Sequence, residues 1–307
     1  MKILIGYDGS ACSDSAFDDL QAAGLPADAE AVVISVAEAW LPPPPEGVSV
    51  SDHLKNLQTE PQPFAGWTEG AKAVTDAETL ANRGAERLRA NFPGWNVSAQ
   101  ATYGSPGWEI VAKADEVAAD LVVVGSQGLN ALERMFLGSI SQKVLAEAHC
   151  SVRVARGRNE VDAGPSRIVI GFDGSEGSHA AVNAVAARNW PAGTEAKLVS
   201  ASDMSFGLDI SMMPAAELAD GGEWLRDAAG ESISSLEAAG LATEFVHEIG
   251  SPKNVLVDVA ESWHANSIFV GANRWGSAVE RFMLGSVSAA IAARAHCSVE
   301  IVRKRAL

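Results

Sequence analysis

The sequence predicts an α/β protein built as two tandem, doubly wound domains, each with a five-stranded parallel sheet. Three observations predict it. The chain repeats itself, each copy alternates short apolar runs with helical stretches, and both copies carry a loop of spaced glycines at the same point in that alternation.

The repeat is direct. KILIGYDGSACSDSAF (Lys2 to Phe17) resembles RIVIGFDGSEGSHAAV (Arg167 to Val182), with Asp8 matching Asp173 at an offset of 165. YGSP (Tyr103 to Pro106) matches IGSP (Ile249 to Pro252) at an offset of 146, and AHCSVRV matches AHCSVEI at 147. The fall from 165 to 146 locates a 19-residue excess in copy one, between Val36 and Tyr103.

Taken in order, KILIGY, AEAVVISVA, WNVSAQATY, DLVVVGS and CSVRVA read as the strands of copy one. SACSDSAF follows the first as a helix. The excess falls in WLPPPPEGVSVSDHLKNLQTEPQPFAGW (Trp40 to Trp67), where four prolines favour extended geometry. It reads as a solvated excursion or a partner-docking segment. WEIVAKADEVAAD places Ile110, Val111, Ala114, Val117 and Ala118 on one helical face. LVVV is apolar without alternation, as a central parallel strand covered on both faces must be. The expected division is residues 1–156 with an insertion at about 40–67, a linker at 157–166, and residues 167–307 as the second domain.

At 307 residues the chain can bury two ordinary cores, and its 47% hydrophobic and 20% charged content is globular. A net charge of −16 argues against nucleic acid and anionic membranes. No secretory leader or membrane-length apolar run is visible, so the expected location is the cytoplasm. Three cysteines without CxxC argue against a disulfide framework. His149-Cys150 and His296-Cys297 recur by duplication and supply too few ligands to predict a metal site. Neither Ser10 nor Ser175 sits in GxSxG.

The chemistry-bearing stretch of copy one is Gly125-x2-Gly128-x9-Gly138-Ser139, between a strand and the helix SISQKVLAEA. Gly125 and Gly128 can take positive φ and let backbone approach a ligand. Ser139 sits at or beside a helix N-cap, where unpaired N–H groups favour phosphate. The alternative is a tight turn with an ordinary cap. The spacing is neither a Walker nor a dinucleotide fingerprint.

These features resemble the universal stress protein family, in particular its ATP-binding branch: the glycine spacing after VVVGS, a first strand ending in DGS, and a closing strand after HC. The resemblance covers nearly the whole chain twice and implies a tandem member with a Rossmann-like, adenine nucleotide alpha hydrolase-like fold. It implies ATP or another adenine nucleotide as ligand, with Mg as a candidate companion. Gly125, Gly128, Gly138 and Ser139 then hold phosphates and ribose, with Ser141 a further candidate. Asp8 contacts the nucleoside and Val36 lies against adenine. Residue reading alone leaves Asp8 a second role, as cap of the following helix.

Copy two departs from the pattern. Gly271 to Gly285 is one residue longer than Gly125 to Gly138. Arg274 stands where Gly128 would, or Trp275 if the insertion lies earlier, and Ala201 replaces Val36. Arg274 can pair with phosphate, or Trp275 and the longer loop can fill or reshape the pocket. Asp173, Ala201, Gly271, Arg274, Gly285 and Ser286 form a second candidate site, with copy one the more dependable.

No catalytic base or metal-binding carboxylate pair stands beside the loops. A nucleotide-dependent regulatory role in stress response is therefore expected, with slow hydrolysis or autophosphorylation as the most catalysis allowed. The competing readings are an interaction module without ligand and a nucleotide-using transferase. The resemblance further implies pairing of the copies through their final strands as an intramolecular pseudo-dimer, with a further homodimer as a candidate. Arg153 would then meet Glu300, a pair worth roughly 0.2–1 kcal/mol if exposed, and exchanging the charges would restore what one reversal loses. The alternative is that both residues point to solvent at unrelated registers.

Overall fold

Each repeat opens on a strand with a buried aliphatic centre and later carries a strand buried over four successive residues. β1 (Lys2–Gly6) and β6 (Arg167–Gly171) bury their central three residues, and β4 (Leu121–Gly125) and β9 (Ser267–Gly271) bury four in succession. Such strands need cover on both faces, which only the middle of a layered sheet provides. The computed structural model, which describes residues 1–45, 47–48, 50–58, 66–126, 137–157, 164–202, 215–272 and 285–303, places them there. With β2 (Glu30–Ala37), β3 (Asn96–Tyr103), β5 (Ser151–Ala155), β7 (Glu195–Ser202), β8 (Ala242–Ile249) and β10 (Ser298–Val302) they form one ten-stranded sheet. Its order is β3-β2-β1-β4-β5-β10-β9-β6-β7-β8, so the second half mirrors the first. Every pairing is parallel except β5 with β10. The chain reverses its strand order at β1 and β4, and again at β6 and β9, which opens a crevice beyond those strand ends in each repeat.

Helix starts follow local chemistry. α1 (Ala11–Gln21) begins at Ser10, whose Oγ accepts from Ser13 N at 3.1 Å, and α6 (Glu176–Ala186) begins at Ser175, whose Oγ accepts from Ser178 N at 3.2 Å. The cap is thus Ser10, and the alternative of Asp8 as the cap is corrected. α4 (Pro106–Glu116) and α8 (Pro252–Ser262) each carry proline in the first turn, where its missing N–H costs nothing. Ile110, Val111 and Ala114 are buried as expected, whereas Val117 and Ala118 lie past the helix end. Ala118 turns the chain into β4 with φ 55°. α3 (Trp67–Asn91) and α7 (Ala215–Ala238) cover the other face with α1 and α6. α5 (Ser139–Glu147) and α9 (Ser286–Arg294) pack on α4 and α8.

The Pro-rich excursion is more structured than a solvated one. It contains α2 (Val50–Gln58), and the Pro42 carbonyl accepts from the Tyr103 hydroxyl and lies 3.1 Å from His53 Nε2. Leu41 and Val50 pack against a small core of Trp67, Ala71, Val74 and Tyr103. Among the described large hydrophobic side chains of this stretch, Trp40 alone stands out, at 96% exposure.

The repeats meet at β5 and β10, antiparallel, with Glu300 directly opposite Arg153. The pairing is intramolecular. On one face Val152, Val154, Val299 and Ile301 join a core continuous across both repeats. On the other face the expected exposed ion pair is instead a buried four-membered network. Arg153 donates to Asp19 from Nε at 2.7 Å and Nη2 at 3.1 Å, and to Glu300 Oε2 from Nη1 at 3.4 Å. Arg188 donates to the other Glu300 oxygen, and to the Ala23 carbonyl at 2.7 Å. Ser298 Oγ donates to Asp19 at 2.6 Å. Burial pulls the Arg153 guanidinium down, but Asp19 and then Glu300 outweigh it and hold it above its ordinary range. Arg188 is pulled below its ordinary range by burial, which Glu300 only partly offsets.

Two further arginines cross the seam symmetrically. Arg156 Nη2 donates to the Ala292 and Ala293 carbonyls of α9 at 2.8 and 3.2 Å. Arg303 donates to the Leu145 carbonyl of α5 and to the Cys150 carbonyl at 3.3 Å. Each guanidinium thus satisfies orphan carbonyls at the C-terminal end of the other repeat's helix, where the helix dipole favours a cation. Arg156→Ala and Arg303→Ala should each lose roughly 1–2 kcal/mol. Urea unfolding of the two variants checks this, and unchanged midpoints would show that the caps contribute nothing.

Candidate functional site

Asp8 and Asp173 leave their strands into the same short turn. Asp8 Oδ1 accepts from Ser10 N at 3.0 Å, and Asp173 Oδ1 from Ser175 N at 3.0 Å. Asp8 is half-buried and Asp173 exposed. Each carboxylate is held at the rim of the crevice while Ser10 or Ser175 caps the helix.

Gly125 does not have the positive φ expected of it, and neither do Gly138, Gly271 and Gly285. At Gly125 the reason for glycine is close approach. A Cβ there would stand 3.3 Å from the Cys12 carbonyl carbon and oxygen, and at Gly271 it would overlap the backbone of Gly177. The strand end therefore lies against the first turn of α1 or α6. Gly128 and Arg274 fall outside the described residues.

Ser139 and Ser286 are the first residues of α5 and α9, after N-caps Gly138 and Gly285 that make no side-chain cap bond. The first-turn amides of an α-helix have no intrahelical acceptor, so each helix presents an open donor set. Ser141 is buried, and its hydroxyl donates to the Gly125 carbonyl at 2.6 Å. It ties α5 to the end of β4, and only its oxygen lone pairs remain for another partner.

In the second repeat these elements enclose a cavity of about 500 Å³. Asp173, Ser175 and Ser178 line it from the turn and first residues of α6, and Gly285, Ser286 and Ser288 from the start of α9. Val199, Ala201, Leu256 and Val270 supply apolar lining. Asp173, Ala201, Gly271, Gly285 and Ser286 are thus brought together. Sequence reasoning missed Ser178, Val199, Pro252 and Leu256, which line the same space. A signal for the first existed, since Ser10-x2-Ser13 and Ser175-x2-Ser178 recur after DG. His149, by contrast, lies against Asp115 with Nδ1 3.0 Å from Oδ1, and Cys150 is buried. Cys297 is also buried, and that burial pushes its thiol up to about 12, against the thiolate form.

The family model described as Universal stress protein family matches this chain twice, over residues 1–156 and 165–303. The chain belongs to the universal stress protein family. Among curated members, it is similar to Universal stress protein YxiE of Bacillus subtilis, 30% identical over 164 residues that span 50% of this chain and 98% of that one. Universal stress protein MJ0531 of Methanocaldococcus jannaschii is 34% identical over 99 residues, 31% of this chain and 58% of that protein. A crystal structure of a universal stress protein from Archaeoglobus fulgidus shares the fold over 98% of both chains, with TM-score 0.67 and 19% identity. A universal stress protein solved in complex with cAMP is 26% identical over 46% of this chain and 98% of its own, with TM-score 0.33. No helix among the described residues of this universal stress protein is long and apolar enough to cross a membrane.

Proposed function

We propose that this tandem universal stress protein binds an adenine nucleotide, ATP or a close relative, and uses its occupancy as a regulatory signal rather than as fuel for rapid turnover. The observation that carries the reading is the second-repeat cavity. Its lining includes the open N-terminus of α9, suited to phosphate, and apolar side chains, suited to a base. Asp173 at the rim supplies a carboxylate for ribose hydroxyls or an exocyclic amine. The first repeat has the same elements, with Asp8, Val36, Gly125, Gly138 and Ser139 in the corresponding places. The donors at the phosphate end are backbone amides, which hold charge but move no proton, so the arrangement favours retention over chemistry.

Mass spectrometry of the purified protein after denaturation should release ATP, ADP, AMP or a cyclic nucleotide. Calorimetry with ATP should show binding that Gly128→Val removes from the first repeat and Ala201→Trp, by filling the cavity, removes from the second. Turnover should lie far below the roughly 1–100 s⁻¹ typical of kinases. Equal ATP affinity in the wild type and both variants would place the nucleotide elsewhere and refute the reading.

A further inference from the structure

Strand register fixes which residues of the two clefts correspond. Gly6 lies opposite Ile34 in β1 and β2, and Gly171 lies opposite Val199 in β6 and β7. Val36 and Ala201 follow two residues later, on the same face of their strands. Counted from the N-caps Gly138 and Gly285, Ile140 corresponds to Val287. Val199, Ala201 and Val287 line the second-repeat cavity, and Ile34, Val36 and Ile140 belong to the same apolar layer in the first repeat.

At all three positions the second repeat carries the smaller side chain, by one, two and one carbon atoms. Among the described lining residues nothing compensates. Pro106 and Pro252 are the same residue, as are Val124 and Val270, and Ile110 and Leu256 are isomers. The second wall is therefore recessed by four carbons, half of them at Ala201.

We propose that the two clefts differ in the size of base they accept. The second-repeat cavity takes purine nucleotides enlarged on the base by a small apolar group, the first-repeat cleft excludes them, and the Val36/Ala201 position decides. This rests on the nucleotide reading above. A side chain that meets an added methyl must shift or strain, whereas one that leaves a gap forfeits dispersion contacts outright. Unmodified ATP accordingly fits the first cleft better, and the recessed wall of the second rewards a larger base with about a fourfold gain for each methylene equivalent it buries.

Calorimetric titration of the full chain tests this with ATP, N6-methyl-ATP and 2-methylthio-ATP, whose substituents extend opposite edges of the purine ring. At least one analogue should bind the second repeat and be rejected by the first. Ala201→Val with Val199→Ile should lose that analogue at least tenfold and gain several-fold for ATP. Val36→Ala with Ile34→Val should admit the analogue to the first repeat. Each pair installs residues that the other repeat already accommodates, and thermal melting checks the fold. If a pair melts early, Ala201→Val or Val36→Ala alone carries the test. ATP binding at both sites with both analogues accepted or refused alike, or discrimination indifferent to these exchanges, overturns the proposal and leaves the nucleotide reading standing. A folded wild type that binds no ATP overturns both.

Discussion

Gly271→Ala should destabilise the protein by about 3 kcal/mol or more, the upper part of the range for overpacked sites. The added Cβ would overlap the Gly177 carbonyl group and stand 2.7 Å from the Gly177 Cα. All of these are backbone atoms in the first turn of α6, so no side-chain rotation relieves the clash. Either β9 or the start of α6 must move, and both line the second-repeat cavity. The equivalent change in the first repeat should be far milder. A Cβ on Gly125 would stand 3.3 Å from the Cys12 backbone, which a shift of a few tenths of an ångström accommodates, at a cost of about 1 kcal/mol. The contrast has a sequence cause. Copy two has Gly177 where copy one has Cys12, and the glycine pair lets helix and strand come closer. Thermal unfolding should show a midpoint lower by roughly 6 °C or more for Gly271→Ala, and a smaller drop for Gly125→Ala. Equal drops would show that the close approach is not what fixes glycine at the end of β9.

Arg153→Glu should cost about 3–5 kcal/mol, because breaking a buried ion network strands its remaining charges. The exchange Arg153→Glu with Glu300→Arg should give no rescue, contrary to the expectation drawn from the final strands alone. A Glu at position 153 would face Asp19, and an Arg at 300 would face Arg188, so the double variant places like charges together twice in a dry site. Urea unfolding of both single variants and the double distinguishes the cases. A double variant near wild-type stability would show that Asp19 and Arg188 do not engage their partners. The network is asymmetric between the repeats, with Asp19 and Arg153 from one and Arg188 and Glu300 from the other, and Ala184 and Ala23 at the positions equivalent to Asp19 and Arg188. That division matches an intramolecular partner, since two copies of the second repeat would bring Glu300 opposite Glu300 and two of the first Arg153 opposite Arg153.

Much of the site was legible in residue types. Asp8 and Asp173 stand at the rim, and Ser139 and Ser286 open their helices, as the local motifs implied. The role of Gly125 was not legible. Glycine after a strand reads equally as freedom to turn or as room for a neighbour, and Cys12 lies 113 positions away in the chain. The same limit hid Val199 and Leu256, which read simply as core residues until the sheet brings β7 and α8 to one cleft.

The sequence by itself determined the duplication and the alternation of strands and helices, because apolar runs and repeats are local signals that survive without a partner, while the pairing of the last strands was implied only by the family resemblance. Only the tertiary structure decided that Arg153 and Glu300 are buried rather than exposed, that Asp19 and Arg188 join them, and that Arg156 and Arg303 cap each other's repeat. A charge at a strand centre has the same letter whether it faces water or a packed helix. What sets its energy is the layer above it, and here α1 packs over β5 and α6 over β10.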